Sequence, residues 1–163
     1  MSRTRTIRPA SKSDLDAVAS LLRRTGLPAD DVPTAPAQFF VAIAADDPEP
    51  VGASGVELHG DAALLRSVAV TESARGSGHG RALTAAAAEH AATEGVETLY
   101  LLTETASDYF ESLGFEHCER SDAPEAIRET TQFAELCPAS AVCLCAPTVT
   151  VLEAAREDGR SNS

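Results

Sequence analysis

Lysine is nearly missing from this chain: Lys12 is the one lysine among 13 basic residues, which face 25 acidic ones. The net charge of −12 argues against nucleic acid or an anionic membrane as partner. Carboxylate excess with lysine depletion fits a salt-filled cytoplasm, where the Debye length falls to about 3 Å and self-repulsion is screened. An acidic protein of ordinary salinity has the same composition, and either way the charge concerns solubility rather than activity. Aromatic residues make up only 4%. No apolar run approaches the ~20 residues of a membrane span, and the opening MSRTRTIRPA has no secretory h-region. A cytoplasmic location is therefore expected. Four cysteines in that setting do not read as a disulfide framework. Cys118 stands alone, and Cys137, Cys143 and Cys145 lack the paired CxxC spacing of a zinc site, so no metal is expected.

At 163 residues the chain suits one domain, burying roughly two-thirds of its unfolded surface. RTIRPAS reads as a first strand. Leu15, Val18, Leu21 and Leu22 form a helical stripe closed by Gly26 and Pro28. FFVAIAA is a strand, and VGASGVEL and AALLRSVAV flank a hairpin turn at Gly60-Asp61. An alanine-rich helix runs from Gly80 to Gly95, followed by strand ETLYLLT, short helix ASDYFESL stopped at Gly114, and strand FEHCE. APEAIRETTQFAEL reads as a helix and SAVCLCA as the last strand. Consecutive strands in the middle require antiparallel hairpins, and the later strand-helix-strand unit requires a parallel crossover. The expectation is an α/β fold with a mixed, mostly antiparallel sheet flanked by helices. Residues 1–146 form the domain and 147–163 a flexible acidic tail.

The stretch SVAVTESARGSGHGRAL sets Gly76, Gly78 and Gly80 between Arg75 and Arg81 where a strand runs into a helix. Without Cβ atoms, backbone N–H groups there can point outward together. The helix N-terminus adds partial positive charge, and the arginines supply full charge for phosphate oxygens. A glycine-rich turn that merely permits close helix–sheet packing gives the same pattern. A P-loop is excluded because no Gly-Lys-Ser/Thr follows. A dinucleotide fingerprint fails at Arg81, where its third glycine belongs.

Arg-Gly-x-Gly-x-Gly after an apolar strand resembles the pyrophosphate loop of the GNAT acetyltransferases. YFESLGFE is similar to that family's short helix and strand after the splayed fifth strand. The resemblance spans residues 4 to about 120. It implies the GNAT acyl-CoA N-acyltransferase fold and acetyl-CoA as cosubstrate, with pantetheine along Val68, Ala69 and Val70. The pyrophosphate would lie on Arg75, Gly76, Ser77, Gly78, His79, Gly80 and Arg81, and Thr105 and Phe110 would also meet the cofactor. IRPA, GDAALLRSVAV, LYLLT and FAELCPASAV together resemble the acetyltransferases found with arsenic-resistance genes. The implied acceptor is the amine of a small molecule, an amino acid or an arsenic-bearing analogue. Family habit implies a homodimer.

Acetyl transfer requires a neutral amine, an oxyanion donor and a proton for the departing thiolate. A two-residue turn sets His59 opposite Ala62, Glu57 opposite Leu64 and Gly55 opposite Arg66, so Glu57 and Arg66 share a face. The resemblance implies that the Arg66 position faces the acceptor. Glu57 is the candidate base, directly or through water, or else a structural partner of Arg66. Arg66, mid-strand in an apolar run, is the candidate anion binder. His59 is an alternative base at the hairpin rim. The family often has tyrosine immediately before ESLG, where this chain has Phe110. Tyr109 stands one position earlier and about 100° round a helix, so the acid is Tyr109 or water. Two further readings stay open: a thiol-based arsenic binder without turnover, and a protein N-acetyltransferase.

Overall fold

The computed structural model describes residues 5–27, 29–30, 32–33, 36–44, 49–76, 78–104, 106–130 and 141–161. The strands are β1 (Arg5–Pro9), β2 (Ala37–Ala44), β3 (Gly52–His59), β4 (Ala62–Val70), β5 (Thr98–Thr103), β6 (Glu116–Cys118) and β7 (Val142–Pro147). The helices are α1 (Leu15–Arg24), α2 (His79–Thr93), α3 (Ser107–Glu111), α4 (Glu125–Arg128) and α5 (Thr148–Ser161). The seven strands form one sheet in the order β1-β2-β3-β4-β5-β7-β6. Among the described strands only β4 and β5 run parallel. That is the expected mixed, mostly antiparallel sheet.

Its two faces bury different helices. Val56, Ala63, Leu65, Leu99 and Leu101 lie under Ala87, Ala88 and Ala91 of α2 and Val151 of α5. The alanines let α2 lie close: a Cβ on Gly52 would stand 2.7 Å from Leu83 Cδ1. Ser54 Oγ donates a buried hydrogen bond of 3.0 Å to the Leu83 carbonyl, fixing helix to strand. On the other face Val18, Leu21 and Leu22 of α1 pack on Phe39, Val41, Ala53 and Ala69. Ile127 of α4 packs there on Ala62, Leu64 and Cys143. The α1 stripe is thus the predicted one, and Gly26, at φ +81°, closes the helix.

The expected flexible tail is corrected by α5. Val151, Leu152 and Ala155 recur at helical spacing and are buried, the first two in the core shared with α2. The polar run REDGRSNS masks this short apolar stripe in the sequence. Only Glu125–Arg128 of the helix expected after residue 122 is seen, and residues 131–140, including Cys137, lie outside the described residues. No helix of the described residues is long and apolar enough to cross a membrane.

Candidate active site

β4 and β5 stay paired for only three residues, from Ala62↔Thr98 to Leu64↔Tyr100, and then part. β4 runs on to Val70 with its β5-side edge open. On its other side the register carries Ala53↔Ala69 but Gly55↔Arg66, so β4 holds one extra residue. This is a β-bulge, and Ser67 adopts φ +60° within it. The extra residue shifts the alternation. Leu65 belongs to the core beneath α2, and after the bulge Val70 packs on Leu83 of α2. Leu64 lies toward α4, and after the bulge Ala69 lies toward α1.

A cleft of about 1250 Å³ opens along this parting. It exceeds the ~300–1,000 Å³ usual for small ligands and suits an extended one. Arg66, Val68, Ala69, Val70, Arg75, Gly76, Gly78, His79, Gly80, Arg81, Tyr109 and Phe110 all line it. Ser77 and Thr105 lie outside the described residues. Thr25, Gly26 and Leu27 from the end of α1, and Leu101 to Glu104 from β5, complete the walls. Nothing in the sequence of α1 signalled that role.

At one end of the cleft the chain enters α2. Gly76 and Gly78 have φ of +85° and +84°, left-handed values that an L side chain adopts only with strain. The Ala82 N–H donates to the Gly78 carbonyl at 3.0 Å. The amides ahead of it are those that helix geometry leaves without an intrahelical acceptor. Arg75 Nε donates to the Val70 carbonyl at 3.0 Å, tying the loop to the end of β4. No side chain fills the space where Gly76 would carry a Cβ. A cradle of amides at a helix N-terminus, walled by arginine and open beside Gly76, fits a pyrophosphate.

The hydroxyl of Tyr109 stands 2.7 Å from where a Cβ of Gly80 would lie, and Val70 Cγ2 stands 3.8 Å from it. Phe110, one residue on, packs edge-on to Phe115 and is buried in the core, although it reaches the cleft wall. Tyr109 therefore enters the cleft by its own route.

Toward the middle of the sheet lies a buried ion pair. The strand register matches the two-residue turn, with Glu57↔Leu64 and Gly55↔Arg66. Arg66 Nη1 donates to Glu57 Oε2 at 2.9 Å, and both side chains are almost wholly buried. Arg66 Nε donates to Ser67 Oγ at 2.9 Å. Its guanidinium lies over the Phe39 ring, 5.4 Å from the centroid, where the ring's negative face attracts it. Gly55 makes room: a Cβ there would stand 2.8 Å from two Phe39 ring carbons and 3.3 Å from Arg66 Cγ. His59 Nε2 lies 3.4 Å from Glu57 Oε1. Glu57 itself does not line the cleft, so Arg66 is the member of the pair that reaches it.

Cys118, which stands alone in sequence, does not stand alone in the fold. β6 and β7 set it opposite Cys143, with the sulfurs 3.3 Å apart. No group of side chains among the described residues is arranged to hold a metal ion.

The parted strands and the amide cradle define a cleft suited to an extended ligand that carries an anionic group. Residues 35–117 match the model of the acetyltransferase (GNAT) domain family. The chain belongs to that family and is an acetyl-CoA-dependent N-acetyltransferase. No curated protein sequence matches it. Among solved structures it is similar to Rv2747 from Mycobacterium tuberculosis in complex with CoA and NLQ. The two share 20% identity and a TM-score of 0.74, over 87% of this chain and 98% of that one. It is also similar to N-acetylglutamate synthase from Neisseria gonorrhoeae complexed with coenzyme A and L-arginine. That likeness has 20% identity and a TM-score of 0.70, over 88% of this chain and 33% of that one. The ribosomal-protein-S18-alanine N-acetyltransferase from Escherichia coli shares 20% identity at a TM-score of 0.66, over 89% and 94% of the two chains.

Proposed function

We propose that the chain acetylates the amine of a small acceptor carrying an anionic group, an α-amino acid or its arsenic- or phosphorus-bearing analogue. The observation that carries this reading is Arg66, a guanidinium buried mid-strand, fixed on three sides by Glu57, Ser67 and Phe39, and lining the cleft. A guanidinium at the wall of a cleft matches a carboxylate in charge and fork geometry. The likeness to an N-acetylglutamate synthase supports an amino-acid acceptor.

Bound acetyl-CoA supplies a thioester carbonyl open to attack by an amine. The amides of Gly76, Gly78 and the first turn of α2, with Arg75 and Arg81, would hold its pyrophosphate, and the open edge of β4 at Val68–Val70 would hold the pantetheine. An N–H near Val68 stabilises the oxyanion. Arg66 orients the acceptor. Glu57 fixes the Arg66 fork, and its role as base would require water to reach it from the cleft. Tyr109 returns a proton to the departing thiolate.

The test is CoA release in molar KCl across α-amino acids, including glutamate and its phosphino and arsono analogues. Turnover confined to acidic acceptors, with acceptor KM raised at least tenfold in Arg66→Ala, supports the reading. Tight acetyl-CoA binding with no turnover on any of them overturns it and points to a protein amine or a non-catalytic binder. Tyr109→Phe separates two roles: a proton donor loses kcat, and a packing residue raises the acetyl-CoA KM alone.

A further inference from the structure

We propose that Cys118 and Cys143 form a two-electron oxidation site, closed to a cross-strand disulfide by a small hydroperoxide. The two residues are direct partners in the β6–β7 register, and their sulfurs already touch at 3.3 Å. Strand partners have Cα atoms about 4.5–5.5 Å apart, within the 4.4–6.8 Å that disulfides span. Both thiols also line a second cleft, of about 430 Å³, which they share with Arg120 and Asp122. A peroxide can therefore reach them from solvent on an edge of the sheet. Cys143 is buried and Cys118 half-buried, so Cys118 meets the oxidant first and Cys143 resolves.

The step balances as follows. The Cys118 thiol loses its proton, and its sulfur attacks one peroxide oxygen, giving a sulfenic acid and one water. The Cys143 sulfur then displaces the hydroxyl, forming the S–S bond and a second water. Two thiols are oxidised and one hydrogen peroxide is reduced. Burial pushes the Cys118 thiol up to about 12, so the attacking thiolate is scarce at neutral pH and closure is slow. The link ties the edge strand to its neighbour and closes residues 119–142 into a covalent loop. That loop carries α4, which packs beneath Leu64, and Ala141, which lines the large cleft.

The experiment treats the reduced full-length protein with hydrogen peroxide at pH 7 and pH 9, traps thiols by alkylation and maps peptides without reduction. The expected result is loss of two of the four thiols, a Cys118–Cys143 peptide lighter by two hydrogens, and a rate rising roughly tenfold per pH unit. Reductant restores all four thiols. Cys118→Ser abolishes the link and Cys145→Ser keeps it. A link made through Cys137 or Cys145 overturns the assignment, as does oxidation that stops at sulfenic or sulfinic acid. The wild-type map decides alone if a Cys143 variant does not fold.

Discussion

Removing Glu57 tests whether its pairing with Arg66 is buried in fact. Glu57→Ala would leave a guanidinium almost wholly shielded from water, its 2.9 Å partner gone. The hydrogen bond to Ser67 and the Phe39 ring would still hold it. Stranding one member of a buried pair costs about 3–5 kcal/mol. In a chain of 163 residues each kcal/mol moves the melting midpoint by about 2–4 °C, so a drop of roughly 10 °C is expected. Replacing both partners with apolar residues of similar size, as in Glu57→Leu with Arg66→Met, removes the stranded charge and restores most of that loss. The double variant still lacks the anion-binding group, so acceptor turnover stays low. Thermal unfolding of the wild type, Glu57→Leu, Arg66→Met and the double variant forms a complete cycle. A Glu57→Ala loss below about 1 kcal/mol, or a double variant no more stable than Glu57→Ala, would refute the buried-pair reasoning.

Other expectations follow from single contacts. Gly80→Ala puts a Cβ 2.7 Å from the Tyr109 hydroxyl. The tyrosine swings aside, so the acetyl-CoA KM rises several-fold while helix propensity adds up to ~1 kcal/mol of stability; steady-state kinetics and melting read the two effects separately. Val151→Ala in the fully buried stripe of α5 costs about 2 kcal/mol in urea unfolding, whereas a loose tail would show no change. Burial raises the thiols of Cys118, to about 12, and Cys145, to about 11, so the folded state holds protons that the unfolded chain releases from about pH 8.5. Stability therefore falls as pH climbs from there toward 11–12, and a Cys118→Ser/Cys145→Ser variant flattens that decline in melting curves.

The sequence carried the sheet well because its punctuation is local. Gly60-Asp61 determines the hairpin register, and that register alone sets Glu57 beside Arg66. Gly76 and Gly78 mark the cradle because their left-handed backbone favours glycine, and Gly80 because the Tyr109 hydroxyl leaves no room for a Cβ. Contacts without a local signature were out of reach. Thr25 to Leu27, just after α1, meet the cleft only through packing, and Phe39 on β2 reaches Arg66 on β4 with Gly55 of β3 between them. Tyr109 was read on an ideal helix as pointing away, but α3 is five residues long, and its start sits close enough to Gly80 for the ring to enter the cleft. Cys118 and Cys143 are joined by an edge pairing that no spacing rule foretells. The α5 stripe was hidden by the charged residues that follow it.

The added residue at Ser67 lets one strand change faces partway along its length. Ahead of it, even-numbered positions face α4 and α1; beyond it, even-numbered positions turn to α2. A substitution scan along β4 should show tolerance alternating with a period of two, then skipping a beat at Ser67. Deleting that residue would restore an unbroken rhythm to the strand and leave one of the two ends with the wrong set of side chains. The bulge is in this sense a phase shift written into the chain, and it lets each end vary while the other keeps its shape.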